Sequence, residues 1–465
     1  MKALDVRGFA PCESLLRHTP EQLRNFIRRM KTLRMNTLVI HGDYGWKFYR
    51  ELIQEECRKA GVEIILQTLG PRGFFSYTDW KPQWFAKDLT GQPFTPKLQC
   101  ETYPCRFEEE ALQAFEYGAR QWLKDLSPEI RHIHMRGADG IMFCQCPKCR
   151  ALPEYERWRP FVERFTKAVL ETRPDLTFGT DAYVKRLYIP DNRKPYEQMS
   201  EIMFDTFDRH LEFPLDSSDP NIPDGDDALS VIASAGVQPD ASNSNRFLLN
   251  RLQEWAEAFP GKTFIHENAM GQAFYTTFQY ATDSYLRDVE LYRRLGLKGV
   301  CWEAFEPGYS SFEEMFELLA RAMNGEEIRR DPSPMEIARR RHPDTKFGGD
   351  LSFPLEKYID DPFQLKSKLL FRRFWNVRDF QTFRDYFEFI FENEEKLDFI
   401  FIGRSILKFY YGFGIIRFGN LEPEEKAFLS RGKLWDFMED IPASENPRKV
   451  CRALIETLYR KAERA

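Results

Sequence analysis

Two spacings of apolar residues alternate along the chain from residue 3 to about residue 325. Residues 20–33, PEQLRNFIRRMKTL, put Leu23, Phe26, Ile27 and Met30 on one helical face behind a Thr19-Pro20 start signal. Residues 36–42, NTLVIHG, are by contrast a short apolar run bounded by turn formers, which predicts a buried strand. The same reading predicts further strands at 3–9, 62–70, 130–136, 176–183, 200–208, 263–269 and 299–306. Helices are predicted at 46–60, 108–126, 159–171, 246–259, 283–295 and 311–323, and a long loop rich in Pro, Gly and aromatics at 71–107. Strands that alternate with helices over short connections form a parallel sheet. Eight such units fit a closed (β/α)8 TIM barrel with enlarged loops better than an open doubly wound sheet, and neither G-x-G-x-x-G nor G-x-x-x-x-G-K-[ST] occurs.

The pattern changes near residue 330. Asp331-Pro332-Ser333-Pro334 reads as a linker, and helical stretches follow at 362–375, 380–397, 423–438 and 447–462 without catalytic-looking turns. The expected organisation is a catalytic barrel over 1–329 and a C-terminal α-helical domain over 330–465, which packs on the barrel or supports a homodimer.

Composition changes this picture little. A net charge of −5 with scattered Lys and Arg argues against nucleic acid and anionic membrane surfaces as partners. The 41 Phe, 19 Tyr and 9 Trp suit stacking on sugar rings, but an aromatic core accounts for most of them. No apolar run is long enough to cross a membrane, and MKALDVRGFAP lacks the pattern of a signal peptide. Nine cysteines in a chain this long are no disulfide framework, so a cytoplasmic protein is expected, although a removed leader would be invisible.

A barrel concentrates its chemistry at the carboxyl ends of its strands. In order these ends offer Arg7; His41, Asp43 and Tyr44; Gln67; Arg136 and Asp139; Asp181 and Tyr183; Asp205 and Asp208; His266, Glu267 and Asn268; Trp302, Glu303 and Glu306. Carboxylates, arginines and aromatics on one rim suit a neutral polyhydroxylated ligand, a carbohydrate substrate, and two of the acids can act on a glycosidic bond. About half of such positions are expected to be structural. Asp139 stands out because the run from Ile130 to Cys149 delivers it between an alanine and a glycine, where a ligand can approach. The alternative is a turn aspartate that caps the next element.

The same run ends in Cys144, Cys146 and Cys149. With Cys100, or Cys105 in its place, they make a set of four thiolates for a structural zinc; reduced thiols and disulfides are the other readings. The usual C-x-x-x-C-x-x-C of iron-sulfur radical enzymes is absent, and no cofactor is expected for catalysis.

Several short motifs, in order, resemble glycoside hydrolase family 20, the β-N-acetylhexosaminidases. They are Arg7-Gly8-Phe9, Arg34-Met35-Asn36, His41-Gly42-Asp43-Tyr44-Gly45-Trp46 and Gly61-Val62-Glu63-Ile64-Ile65. His134-Met135-Arg136-Gly137-Ala138-Asp139-Gly140 stands in place of that family's H-x-G-G-D-E, and Cys301-Trp302-Glu303 resembles its last W-x-E strand. The Cys-x-Cys-Pro-x-Cys loop is more similar to related barrels that include the endo-acting family 163. The resemblance covers roughly residues 3 to 325. It implies that Arg7 binds a hydroxyl, that Asp139 orients and polarises a substrate 2-acetamido group, that Trp302 is a stacking wall and that Glu303 is a hydroxyl ligand. The family's acid glutamate falls on Gly140, so another side chain supplies the proton or the chemistry has been lost.

Glu267 is the expected second carboxylate, because retaining glycosidase barrels often take their pair from strands four and seven. The competing expectation is that it salt-bridges Arg136 or Arg7 across the barrel mouth, with Asp181 and Asp205 in reserve. Three functions follow: a retaining, substrate-assisted hydrolase of β-linked N-acetylhexosaminides; a glycosidase for another sugar that uses Asp139 and Glu267 as acid-base and nucleophile; and a non-catalytic carbohydrate-binding barrel.

Overall fold

The structure, a computed structural model, describes residues 2–11, 20–41, 46–69, 72–78, 81–93, 104–137, 144–206, 209, 213–218, 240–267, 282–303 and 313–328. Asp43, Tyr44, Cys100, Asp139, Asp208, Asn268, Glu306 and the whole of the expected helical domain lie outside the described residues.

Eight parallel strands close on one another in chain order, with the last pairing the first. They are β1 (Val6–Ala10), β2 (Thr37–His41), β3 (Glu63–Leu69), β4 (His132–Arg136), β5 (Thr177–Ala182), β6 (Glu201–Asp205), β7 (Thr263–Glu267) and β8 (Gly299–Glu303). The helices are α1 (Pro20–Thr32), α2 (Trp46–Ala60), the short α3 (Arg72–Phe75), α4 (Glu109–Asp125), the short α5 (Pro147–Arg150), α6 (Glu154–Thr172), the short α7 (Lys194–Glu197), α8 (Ser244–Ala258), α9 (Thr282–Arg294) and α10 (Glu313–Met323). This is the (β/α)8 barrel the periodicity predicts. Among the described residues no helix is long and apolar enough to cross a membrane.

α6 begins five residues earlier than the expected start at Arg159, and it carries Pro160 inside it. A proline there removes the bond to the carbonyl of Glu156, four residues back. Arg106 Nη1 donates to that carbonyl instead, so a side chain from the loop before α4 takes the place of the bond that the proline removes. Among the described residues one cluster of phenylalanines packs between α3, α4 and α6. Phe74 and Phe115 meet edge-on with centroids 5.1 Å apart, Phe115 meets Phe161 at 5.3 Å, and Phe74 stacks on Phe165 at 5.8 Å. These rings are core and not sugar platforms.

The lower barrel interior is charged. His132 Nε2 lies 2.8 Å and His134 Nε2 3.4 Å from Glu201 Oε2, while Lys298 pairs with Oε1. Gly179 of β5 makes this possible, because a Cβ there would stand 2.4 Å from the Glu201 carbonyl and 2.9 Å from His134 Nε2. Burial opposes the charge on His132, yet Glu201 and Glu63 outweigh it and raise its pKa; burial and the charge of His132 lower that of His134. The three side chains converge as a metal ligand set would, but Glu201 already answers Lys298 and His132.

Candidate functional site

Strand parity decides which strand-end residues face the barrel interior. Side chains alternate between the two faces, so one face of each strand meets the interior and the other meets the helices. Asp205 is in register with His266, and His266 with Cys301, so Glu303, two residues on, shares their face. Phe9 is in register with Trp302, and Trp302 with Glu267. Phe9 packs on Phe26 of α1, which puts that set against the helical layer.

The interior set forms one network. His266 Nδ1 lies 2.9 Å from Asp205 Oδ2, Arg136 Nη2 stands 3.9 Å from the same oxygen, and Arg136 Nη1 donates to His41 Nε2. Gln67 is buried on the same side, its amide 3.1 Å from Met203 Sδ. Burial, reinforced by Arg136 and His266, holds His41 well below its ordinary pKa, so it is a neutral acceptor. For His266 burial works the same way, but Asp205 and Glu303 prevail and raise the pKa, which favours the imidazolium. Its Nε2 is buried and has no hydrogen-bond partner among the described residues.

Asp181 sits beside this network and is fully engaged. Arg186 grips it through Nε at 3.0 Å and Nη2 at 2.9 Å, and the Gly137 amide donates to Oδ2 at 3.1 Å. Two guanidinium groups stand over the Tyr183 ring, that of Arg136 at 5.4 Å and that of Arg186 at 5.7 Å from its centroid. Gly137 leaves room for the grip, because a Cβ there would come within 2.1 Å of the Arg186 guanidinium carbon. Gly137→Ala should therefore displace Arg186 and lower stability by about 1 to 3 kcal/mol, an overpacking cost read from the denaturant midpoint.

Three expected site residues belong elsewhere. Glu267 faces away from the interior into a closed cluster: Arg209 Nε at 3.0 Å, Thr206 Oγ1 at 2.8 Å and Tyr292 hydroxyl at 2.8 Å all donate to it. Arg209 also holds Asp288 at 2.6 Å, and the whole set is buried against α9. Its geometry is that of the salt-bridge alternative, with Arg209 as the partner in place of a mouth arginine. Trp302 is fully buried with its ring 5.0 Å from Tyr285 of α9 in an edge-on contact, so it is a packing residue and offers no face to a sugar. Arg7 is the second residue of β1 and bonds the carbonyls of Arg34 and Leu4, near the amino end of the barrel. Arg186 and Arg209 are not reached from the sequence as support residues, and His266 is placed there at a strand end without a role; the cue to the two arginines is a basic residue shortly after a strand-end aspartate.

Away from the interior, Cys105, Cys144, Cys146 and Cys149 bring their sulfurs within 4.8 Å of one another. Cys105 fills the position for which Cys100 was the first expectation.

Scanned against models of protein families the chain matches none, and no curated protein sequence matches it. Among solved structures it is similar to an endo-β-1,4-mannanase from Thermotoga petrophila, with 10% identity, 70% of this chain and 79% of the other covered, and a TM-score of 0.41. A β-N-acetylhexosaminidase matches at 11% identity over 73% of this chain and 76% of its own, with a TM-score of 0.42. The catalytic domain of a β-amylase from Paenibacillus polymyxa matches at 8% identity over 73% and 98%, with a TM-score of 0.41. Likenesses this distant carry no argument about what this chain binds or cleaves, and the barrel rests on its own strand pairing.

Proposed function

We propose that this chain is a retaining, substrate-assisted glycoside hydrolase acting on β-linked N-acetylhexosaminides. The observation that carries the reading is the inward-facing set of Arg136, Asp205, His266 and Glu303 at the strand ends where β4 runs on through Gly137 toward Asp139. Such a set offers donors and acceptors to a polyhydroxylated ring, and the motif order of the sequence supports an acetamido group as the internal nucleophile. Asp139 orients and polarises that group.

The proton that the family pattern would draw from the position of Gly140 comes from His266. Asp205 backs this ring at Nδ1 and helps to raise its pKa, which favours the protonated form, and its buried Nε2 has no hydrogen-bond partner among the described residues. A general acid of this kind must be protonated to act, so turnover falls as pH rises through that raised value. Arg136 and Glu303 bind hydroxyls.

A second reading, a non-catalytic sugar-binding barrel, is favoured by one observation: Glu267 and Asp181 are spent on Arg209 and Arg186. The use of Glu267 as a nucleophile for another sugar loses its support for the same reason. Aryl β-N-acetylglucosaminide and β-N-acetylgalactosaminide turnover across pH, with binding of a thiazoline mimic alongside, separates the two readings. Turnover with an alkaline fall is expected. Binding without turnover would leave the sugar-binding reading, and neither would sink both.

A further inference from the structure

We infer that Cys105, Cys144, Cys146 and Cys149 hold one structural zinc ion that fixes the outer end of the segment carrying Asp139. The sulfur geometry argues for this. Cys105 Sγ lies 3.6 Å from Cys149 Sγ and 3.9 Å from Cys146 Sγ. A disulfide would bring two sulfurs to about 2.05 Å. Four thiolates at about 2.3 Å from a tetrahedral zinc stand about 3.8 Å apart along each edge, close to the two Cys105 separations, and all four sulfurs lie within 4.8 Å of one another. An iron-sulfur cluster interposes a cage of iron and sulfide and holds its cysteine sulfurs further apart.

The surroundings suit a closed, non-catalytic site. Cys105, Cys144 and Cys149 are 3%, 2% and 1% exposed with Ala86 packed beside them, Cys146 is half-buried, and four cysteine ligands would fill a tetrahedral zinc without an open position. The backbone turns at the metal in the way such sites require. Cys146 caps α5, a single turn begun by Pro147 that carries Cys149 round to the same side. The Lys87 amide donates to Cys144 Sγ at 3.4 Å, and Gln145 N donates back to the Lys87 carbonyl at 2.6 Å, which ties the loop after β4 to the loop before α4. Amide donors of this kind offset charge on thiolate sulfur.

Position in the chain gives the site its purpose. Residues 138–143 connect Gly137, whose amide is held by Asp181, to Cys144. The metal therefore anchors the second end of the segment whose first end the Asp181–Arg186 pair already anchors. The ion takes no part in chemistry and holds the chain at Cys144, the residue at which that segment ends.

The test uses the full chain purified without chelator. About one zinc per chain is expected by elemental analysis, and after replacement by cobalt the intense thiolate-to-metal absorption of a tetrahedral site with four cysteine ligands. Cys105→Ser should lose the metal and lower the melting temperature, while Cys100→Ser keeps both. Should Cys105→Ser fail to fold, titration of the wild-type protein with a mercurial reports the same quantity: zinc is released as four thiols per metal react. Metal-free protein that takes up no cobalt, disulfides among these cysteines by mass spectrometry, or full zinc in Cys105→Ser would each overturn the assignment. None of these readouts depends on glycosidase activity.

Discussion

Replacing Asp139 by asparagine is expected to lower kcat on an N-acetylhexosaminide by about 10² to 10³, the usual cost of one electrostatic contact made in the transition state. The substitution keeps the shape of the side chain and removes its charge. In substrate-assisted hydrolysis the acetamido oxygen attacks the anomeric carbon and positive charge develops on the oxazolinium ion, so the carboxylate matters far more in the transition state than in the bound substrate. KM should therefore change little, since an interaction made only in the transition state lowers kcat and kcat/KM together. His266→Gln should be comparably damaging for a substrate whose leaving group needs a proton and least so for aryl substrates with acidic leaving groups. The double variant should fall far short of the product of the two losses, because both groups act in one step. Wild-type kcat in Asp139→Asn on a confirmed substrate would refute the assisted mechanism.

The order of the barrel was legible because each strand is a short buried run and each helix an amphipathic one, and these periods differ by nearly a factor of two. What the periods do not carry is parity. The runs TFIHE of β7 and GVCWE of β8 are buried throughout, so neither shows the polar alternation that marks a face. Which of His266 and Glu267, or of Trp302 and Glu303, meets the interior then rests on register, and a slip of one residue exchanges every pair. Without parity the sequence offers Glu267 as the strand-seven acid, the family resemblance implies both Trp302 and Glu303 at the site, and His266 stays a strand-end residue without a role. Arg7 fails for a related reason. β1 runs on to Ala10, so Arg7 lies at its start and not at its carboxyl end. The arginine partners were beyond reach for another cause, since Arg186 and Arg209 meet their carboxylates through loops whose path no periodicity describes.

The same parity makes Glu267→Gln a decisive substitution. Glu267, Arg209, Asp288 and Tyr292 are all fully buried, and the carboxylates outweigh burial to hold the Arg209 guanidinium well above its ordinary pKa. Removing one partner of such a pair leaves an uncompensated buried charge, which costs about 3 to 5 kcal/mol. Arg209→Met should reach that range, because it strands both Glu267 and Asp288. Glu267→Gln should cost less, because Asp288 still answers the guanidinium and the amide can still accept from Thr206. The two substitutions together should cost less than the sum of the single ones, as expected for groups in one network. Denaturant unfolding of the three variants reads these losses, and turnover of the folded fraction reads catalysis. If Glu267 is an anchor behind β7, kcat per folded molecule stays near wild type in Glu267→Gln while the midpoint falls. An unchanged midpoint with kcat reduced by orders of magnitude would return Glu267 to the reacting bond and require β7 to present its other face to the barrel interior.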